Sequence, residues 1–223
     1  MACRRGSRST ASSARGRTPT RDCSRVGRRS RWRRLLGAAP RAAFDAVPAT
    51  LHAWLAESLE TPLRQDLREE FRFVQGYRDD WAGAPYTPIF VTVDALVTHG
   101  EHLLVIRRGR RPGIGLLALP GGFIDAHEFI HDSALRELRE ETGLALTAAD
   151  ASAVRVFDHP RRSLRGRIVT HLHRYDLPAS RPLPVVTAGD DAAHACWLPL
   201  ADAAPALFFE DHYAMLQVVL GLP

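Results

Sequence analysis

The chain has 223 residues, 45% of them hydrophobic, enough for one well-cored domain with extensions and too few for two full domains. Its formal charge of +5 is uneven: residues 1–41 hold thirteen arginines against the single acid Asp22, a net of +12 that leaves −7 on the remainder. No apolar run approaches the roughly 18 to 20 residues of a membrane span, which excludes a helical membrane protein, and all thirty basic residues are arginine.

Residues 1–43 are rich in Arg, Ser, Ala and Gly without an apolar period, so they bury too little to offset the entropy of ordering. They are expected to be a disordered basic segment, and a start placed too far upstream is a second account of them. Nucleic acid is expected as a partner only through this arm. Cys3, Cys23 and Cys196 have no C-x-x-C spacing and leave an odd thiol under any pairing, so the expected location is the cytoplasm. Residues 44–84 read as a helical connector, with Leu51, Trp54 and Leu55, then Leu67, Phe71 and Val74, at helical spacing between Pro48 and Pro62.

The pattern changes at residue 85. Ile89 to Val97 and His102 to Ile106 are β-branched and apolar runs separated by a turn at His99-Gly100. Further strands are expected at Ala153 to Phe157 and Arg167 to Leu177, with a short one at Trp197-Leu198 and a last helix from Asp211 to Leu220. Strands on both sides of a central helix predict an α+β domain over 85–223, with helices sandwiching a mixed sheet.

The central helix lies in the stretch LPGGFIDAHEFIHDSALRELREETGL, residues 119–144. The spacing predicts a helix over Ser133 to Thr142, closed by Gly143. Glu137, Glu140 and Glu141 then fall at i, i+3 and i+4, so three carboxylates share one face. That crowding calls for compensation, which Arg136 and a divalent cation can supply; ligands that are all oxygen favour magnesium or manganese over zinc. Ala134, Leu135 and Leu138 supply the apolar anchor. Gly121 and Gly122, after Pro120, let the backbone approach a ligand, and Glu128 can return toward the acidic face from a loop.

Gly122, Glu128, Arg136, Glu137, Leu138, Glu140, Glu141, Gly143 and Leu144 together resemble the Nudix box at every specified position. The resemblance implies the Nudix α/β/α sandwich and a pyrophosphohydrolase acting on a nucleoside diphosphate linked to another moiety. It further implies Glu137 and Glu141 as the main magnesium ligands, with manganese as a substitute, Glu140 for a further metal or water, and the Gly121 carbonyl completing the shell. Glu128 would orient or deprotonate at the edge, and Arg136 would hold the glutamates.

The flanking stretches RRGRRPGIGLLALPGGFID, VFDHPRRSLRGRIVTH, GDDAAHACWLPL and FEDHYAML are similar to the Nudix half of bifunctional nicotinamide-mononucleotide adenylyltransferase/ADP-ribose pyrophosphatases. That similarity implies cleavage of ADP-ribose to AMP and ribose 5-phosphate and allows a homodimer. It departs at the front, where no H-x-G-H phosphate motif or Rossmann-like domain is found, so no adenylyltransferase activity is expected, and at Ile114, where such relatives often carry lysine. Gly122, Arg107, Arg165, Arg167, Asp190 and Asp191 are the candidate substrate contacts, the arginines as fixed-charge forks for phosphate. Asp190, Asp191 or Glu210 are candidates for a base outside the box, against ordinary turn or capping roles. Phe157 and Tyr86 are candidates to stack adenine, against a core role. His159, His171 and His173 form no zinc-like set. Two other readings stay open: hydrolysis of NADH, a nucleotide sugar or an oxidised nucleoside triphosphate, and a non-catalytic ADP-ribose-sensing regulator.

Overall fold

The computed structural model describes residues 61–189 and 192–222. The expectations for residues 1–43, for the front of the connector, and for Asp190 and Asp191 fall outside them.

Helix α1 spans Thr61–Asp80. Its expected apolar stripe is not a buried face, since Leu67 and Val74 are half-buried and Phe71 is 58% exposed. Instead the end of α1 packs through rings: Tyr77 and Trp81 meet Phe90 edge-on, with centroids 6.0 and 5.0 Å apart.

The sheet is built from β1 (Ile89–His99), β2 (His102–Arg108), β3 (Leu117–Ala118), β4 (Gly121–Phe123), β5 (Ala151–Phe157), β6 (Arg167–Leu177) and β7 (Ala192–Pro199). Its order is β3-β2-β1-β6-β5, with β4 also pairing with β1 and β7 with β2. β1 and β6 run parallel in register from Ile89/Arg167 to His99/Leu177, and the other pairings are antiparallel, so the sheet is mixed as expected. The turn at Gly100, in the left-handed region at φ 56°, joins β1 to β2. Two strands were not expected: β3 and β4 are too short to carry a period. β7 is longer than the expected Trp197-Leu198.

Two helices cover the sheet. Helix α2, Ile130–Thr142, starts three residues before the expected Ser133 and ends at Gly143 in the left-handed conformation, as expected. Leu138, fully buried, packs with Ala95, Val97, Leu104 and Tyr175 on one face. Helix α3, His212–Leu220, sets Tyr213, Met215 and Leu216 against Leu96, Leu103, Val105 and Leu172 on the other. Neighbouring residues of β1 and β2 thus feed opposite cores, which is the alternation of a strand buried on both faces.

A remote segment finishes α2. The Thr187 N–H donates to the Thr142 carbonyl at 2.9 Å and the Gly189 N–H to the Glu141 carbonyl at 3.3 Å, satisfying two carbonyls that a helix end leaves open. A Cβ on Gly189 would stand 1.7 Å from the Glu140 carbonyl oxygen. No helix among the described residues is long and apolar enough to cross a membrane.

Candidate active site

A cleft of about 430 Å³ opens where α2, β4, the loop after β2 and the loop before β6 meet. One wall is acidic. Glu137 and Glu141 project into it from α2, beside Gly121 and Gly122. The Gly121 N–H donates to Glu141 Oε2 at 2.9 Å. Gly121 also packs closely on β1, where a Cβ would lie 2.1 Å from the Val93 carbonyl oxygen.

Burial raises the pKa of Glu141 to about 8, against the opposing effect of the Gly121 hydrogen bond. Burial also raises that of Glu137, which accepts from Arg136 at 2.8 Å. Two carboxylates removed from water on one helix face gain most from a cation placed between them.

Arg136 bonds to three glutamates and one carbonyl. Its Nε donates to Glu128 at 2.9 and 3.1 Å, one terminal nitrogen reaches Glu137 and Glu140, and the other reaches the Phe123 carbonyl. Glu128 also accepts from Ser133 Oγ at 2.6 Å, and these two partners, Arg136 first, hold its carboxyl below the usual range. Glu128 and Glu140 therefore grip Arg136 at the rim and do not line the cleft.

The opposite wall is basic. Arg108 lies over the Phe209 ring at 4.0 Å, with Nε donating to the Pro112 carbonyl at 2.8 Å. Arg165 lies 5.4 Å from the Phe123 ring and 5.8 Å from that of Phe209. Arg162 also lines the cleft, paired in a fork with Asp211 at 3.1 and 3.0 Å. Burial, then the like charge of Arg165, works against the Arg108 cation, a strain that an anion in the cleft would relieve.

Arg165 and Gly122 are thus on the cleft, and two other expected arginines are not. Arg107 points to the other face of β2 and donates to the Gly115 carbonyl at 2.5 Å. Arg167, at the start of β6, donates to the Asp158 carbonyl. The residue to choose in the Arg107-Arg108 pair was the second, since strand neighbours face opposite ways. Of the aromatic candidates, Phe157 packs against the core and Tyr86 stands 87% exposed, whereas Phe123 lines the cleft.

Glu210 lines the cleft as well. It is the only non-glycine with a left-handed φ, 43°, among the described residues. It accepts from Ser163 Oγ at 2.8 Å and from the Leu164 N–H at 3.2 Å, and burial raises its pKa.

Two polar groups at the floor were missed. Asp94, buried in β1, accepts from Thr170 Oγ1 at 2.5 Å, and burial raises its pKa. His212 Nδ1 accepts the Leu119 N–H at 3.0 Å, so the proton of the neutral ring sits on Nε2, 4.0 Å from Asp94 Oδ1. Burial depresses the His212 pKa to about 3. The lone acid inside the apolar run FVTVDALV was the available signal.

The donor set suits a hard divalent cation. Glu137 and Glu141 offer only oxygen, on a wall where burial disfavours uncompensated charge. Among the described residues no three His, Cys, Asp or Glu side chains close into a cage.

Residues 88–219 match the NUDIX domain. The chain is similar to the ADP-ribose pyrophosphatase of Methanocaldococcus jannaschii, 32% identical over 127 residues, 57% of this chain and 70% of that protein. It is also similar to the bifunctional NMN adenylyltransferase/ADP ribose pyrophosphatase of Francisella tularensis, solved with AMP and a Mn ion, at 36% identity and TM-score 0.69. That match covers 78% of this chain and 52% of the other, so the chain spans about half the length of that relative. The NUDIX domain of Shewanella oneidensis NrtR, solved with ADP ribose, shares the fold at 22% identity and TM-score 0.53, over 66% of this chain and 96% of that one. Box, fold and domain match agree, and the chain belongs to the Nudix family.

Proposed function

We propose that this chain is an ADP-ribose diphosphatase: it adds water across the diphosphate linkage, breaking one P–O bond and releasing AMP and ribose 5-phosphate. The observation that carries the reading is that buried carboxylates Glu137 and Glu141 and the arginines Arg108 and Arg165 line one cleft. ADP-ribose, among diphosphates, is favoured by the similarity to the archaeal and Francisella proteins.

Glu137 and Glu141, with the Gly121 carbonyl, would hold magnesium or manganese, and Glu140 would join them if a second ion binds. A bound divalent ion supplies charge to neutralise the diphosphate oxygens and to acidify a water. The chain does the rest. Arg136 fixes the glutamates, and Arg108 and Arg165 grip phosphate oxygens through forks whose charge does not titrate. Glu210, with its raised pKa, is the base within the cleft that can take the water's proton.

The test is divalent-dependent release of AMP from ADP-ribose, beside NADH, nucleotide sugars and oxidised dGTP, with Glu141→Gln as control. Preference for ADP-ribose, lost in the variant, is expected. Binding of ADP-ribose without cleavage would overturn the enzyme reading, and preference for another panel member would overturn the substrate.

A further inference from the structure

Helix α1 lies wholly ahead of the matched residues 88–219. It nevertheless reaches both loops that carry the basic wall. Glu70 accepts from Arg111 at 2.7 Å and, through its other oxygen, from the Gly113 N–H at 3.1 Å, while Glu69 takes the second terminal nitrogen of Arg111. Between Arg111 and Gly113 stands Pro112, whose carbonyl accepts from Arg108 Nε. A carboxylate on α1 is therefore one residue away, on either side, from the carbonyl that aims the Arg108 guanidinium.

The second loop is held by the same helix, about 12 Å further along its axis. Arg78 Nε donates to the Leu164 carbonyl at 2.9 Å. The Leu164 N–H in turn donates to Glu210, and Arg165 follows directly.

We propose that α1 is a brace for the substrate cleft, in which Glu70 and Arg78 are positioning residues that fix the Arg108 and Arg165 loops at the spacing a diphosphate requires. Neither residue lines the cleft, so Glu70 acts through the Gly113 amide and the cleft-lining Arg111, and Arg78 through the Leu164 carbonyl. The acidic wall has its own anchors, since α2 is held by Leu138 and by the segment at Thr187 and meets α1 only indirectly, through Phe90 and Phe123. Loss of the brace should therefore weaken substrate binding while sparing the chemical step.

The inference rests on the hydrolase reading only for its kinetic arm. In Glu70→Ala and in Arg78→Ala the KM for ADP-ribose is expected to rise about ten-fold with kcat within about two-fold, the signature of lost binding. An unchanged KM, or an equal fall in kcat, overturns the positioning role.

Amide hydrogen exchange on the full chain supplies a readout without substrate. Glu70→Ala should speed exchange at Gly115 and Leu116, whose N–H groups donate within the loop and not to Glu70. Arg78→Ala should do the same at Leu164 and Arg165, with α2 amides unchanged in both. Unaltered loops, or a rise shared by α2, overturns the brace. If the unmodified protein releases no AMP from ADP-ribose, the substrate reading falls by itself and the exchange result still decides the brace.

Discussion

The two walls of the cleft are built by different means. The acidic wall comes from one helix, where a period of 3.6 places Glu137 and Glu141 on one face within five consecutive residues. The basic wall comes from the end of β2 and a loop more than fifty residues further on, and Phe209, Asp211, Glu210 and helix α1 all contact its parts. A charge pattern on one helix is local and rigid, whereas a pattern across loops exists only in the finished fold. The lesson is that the metal side should fail through charge and the phosphate side through position.

The largest effect should come from the metal side. Glu141→Gln keeps an acceptor for the Gly121 N–H but removes the charge, so kcat should fall about a thousandfold, as when a group stabilising transition-state charge is lost. Steady-state kinetics against magnesium concentration would show it. The melting temperature of the metal-free variant should not fall, because burial already favours the neutral carboxyl of Glu141 at pH 7 and the neutral glutamine has the same shape.

Next comes the floor of the cleft, where His212 should contribute to the loss of stability in acid. His212 has a folded pKa near 3 against an ordinary value of 6.5, so below pH 6.5 the unfolded chain binds a proton that the native ring refuses. The His212 contribution should be fully present above about pH 6.5 and be lost as pH falls toward 3, by up to on the order of 5 kcal/mol. Denaturant titrations from pH 7 to 4 would measure the slope, and His212→Asn should flatten it.

On the basic wall, Arg108→Ala should raise the KM for ADP-ribose about thirty-fold, in the range of a lost charged hydrogen bond. The smallest effect belongs to its neighbour: Arg107→Ala should leave KM within about three-fold. Equal effects of the two would mean that β2 does not present them to opposite faces.

How far each wall could be read in advance follows from the same contrast. The turn glycine, the helix, its carboxylates and its Gly143 stop were all visible, since each depends on neighbours a few residues away. Arg107 against Arg108 was not. Leu103, Leu104, Val105 and Ile106 are all buried, so β2 reads as a continuous apolar run that conceals which parity faces which core. Arg162, Asp94 and His212 were missed because their partners, Asp211, Thr170 and the Leu119 amide, are distant in sequence. The strands β3 and β4, of two and three residues, are set by pairing with β2 and β1 and carry no pattern of their own.

Gly189 has a consequence for how this protein can change over generations. Any side chain there would have to push the backbone away from the last turn of α2, at a residue outside the lining of the cleft. A library of every substitution, scored for hydrolysis, should find Gly189 as closed to replacement as Glu141. One position tolerates no substitute for its charge, and the other has no room for an added atom.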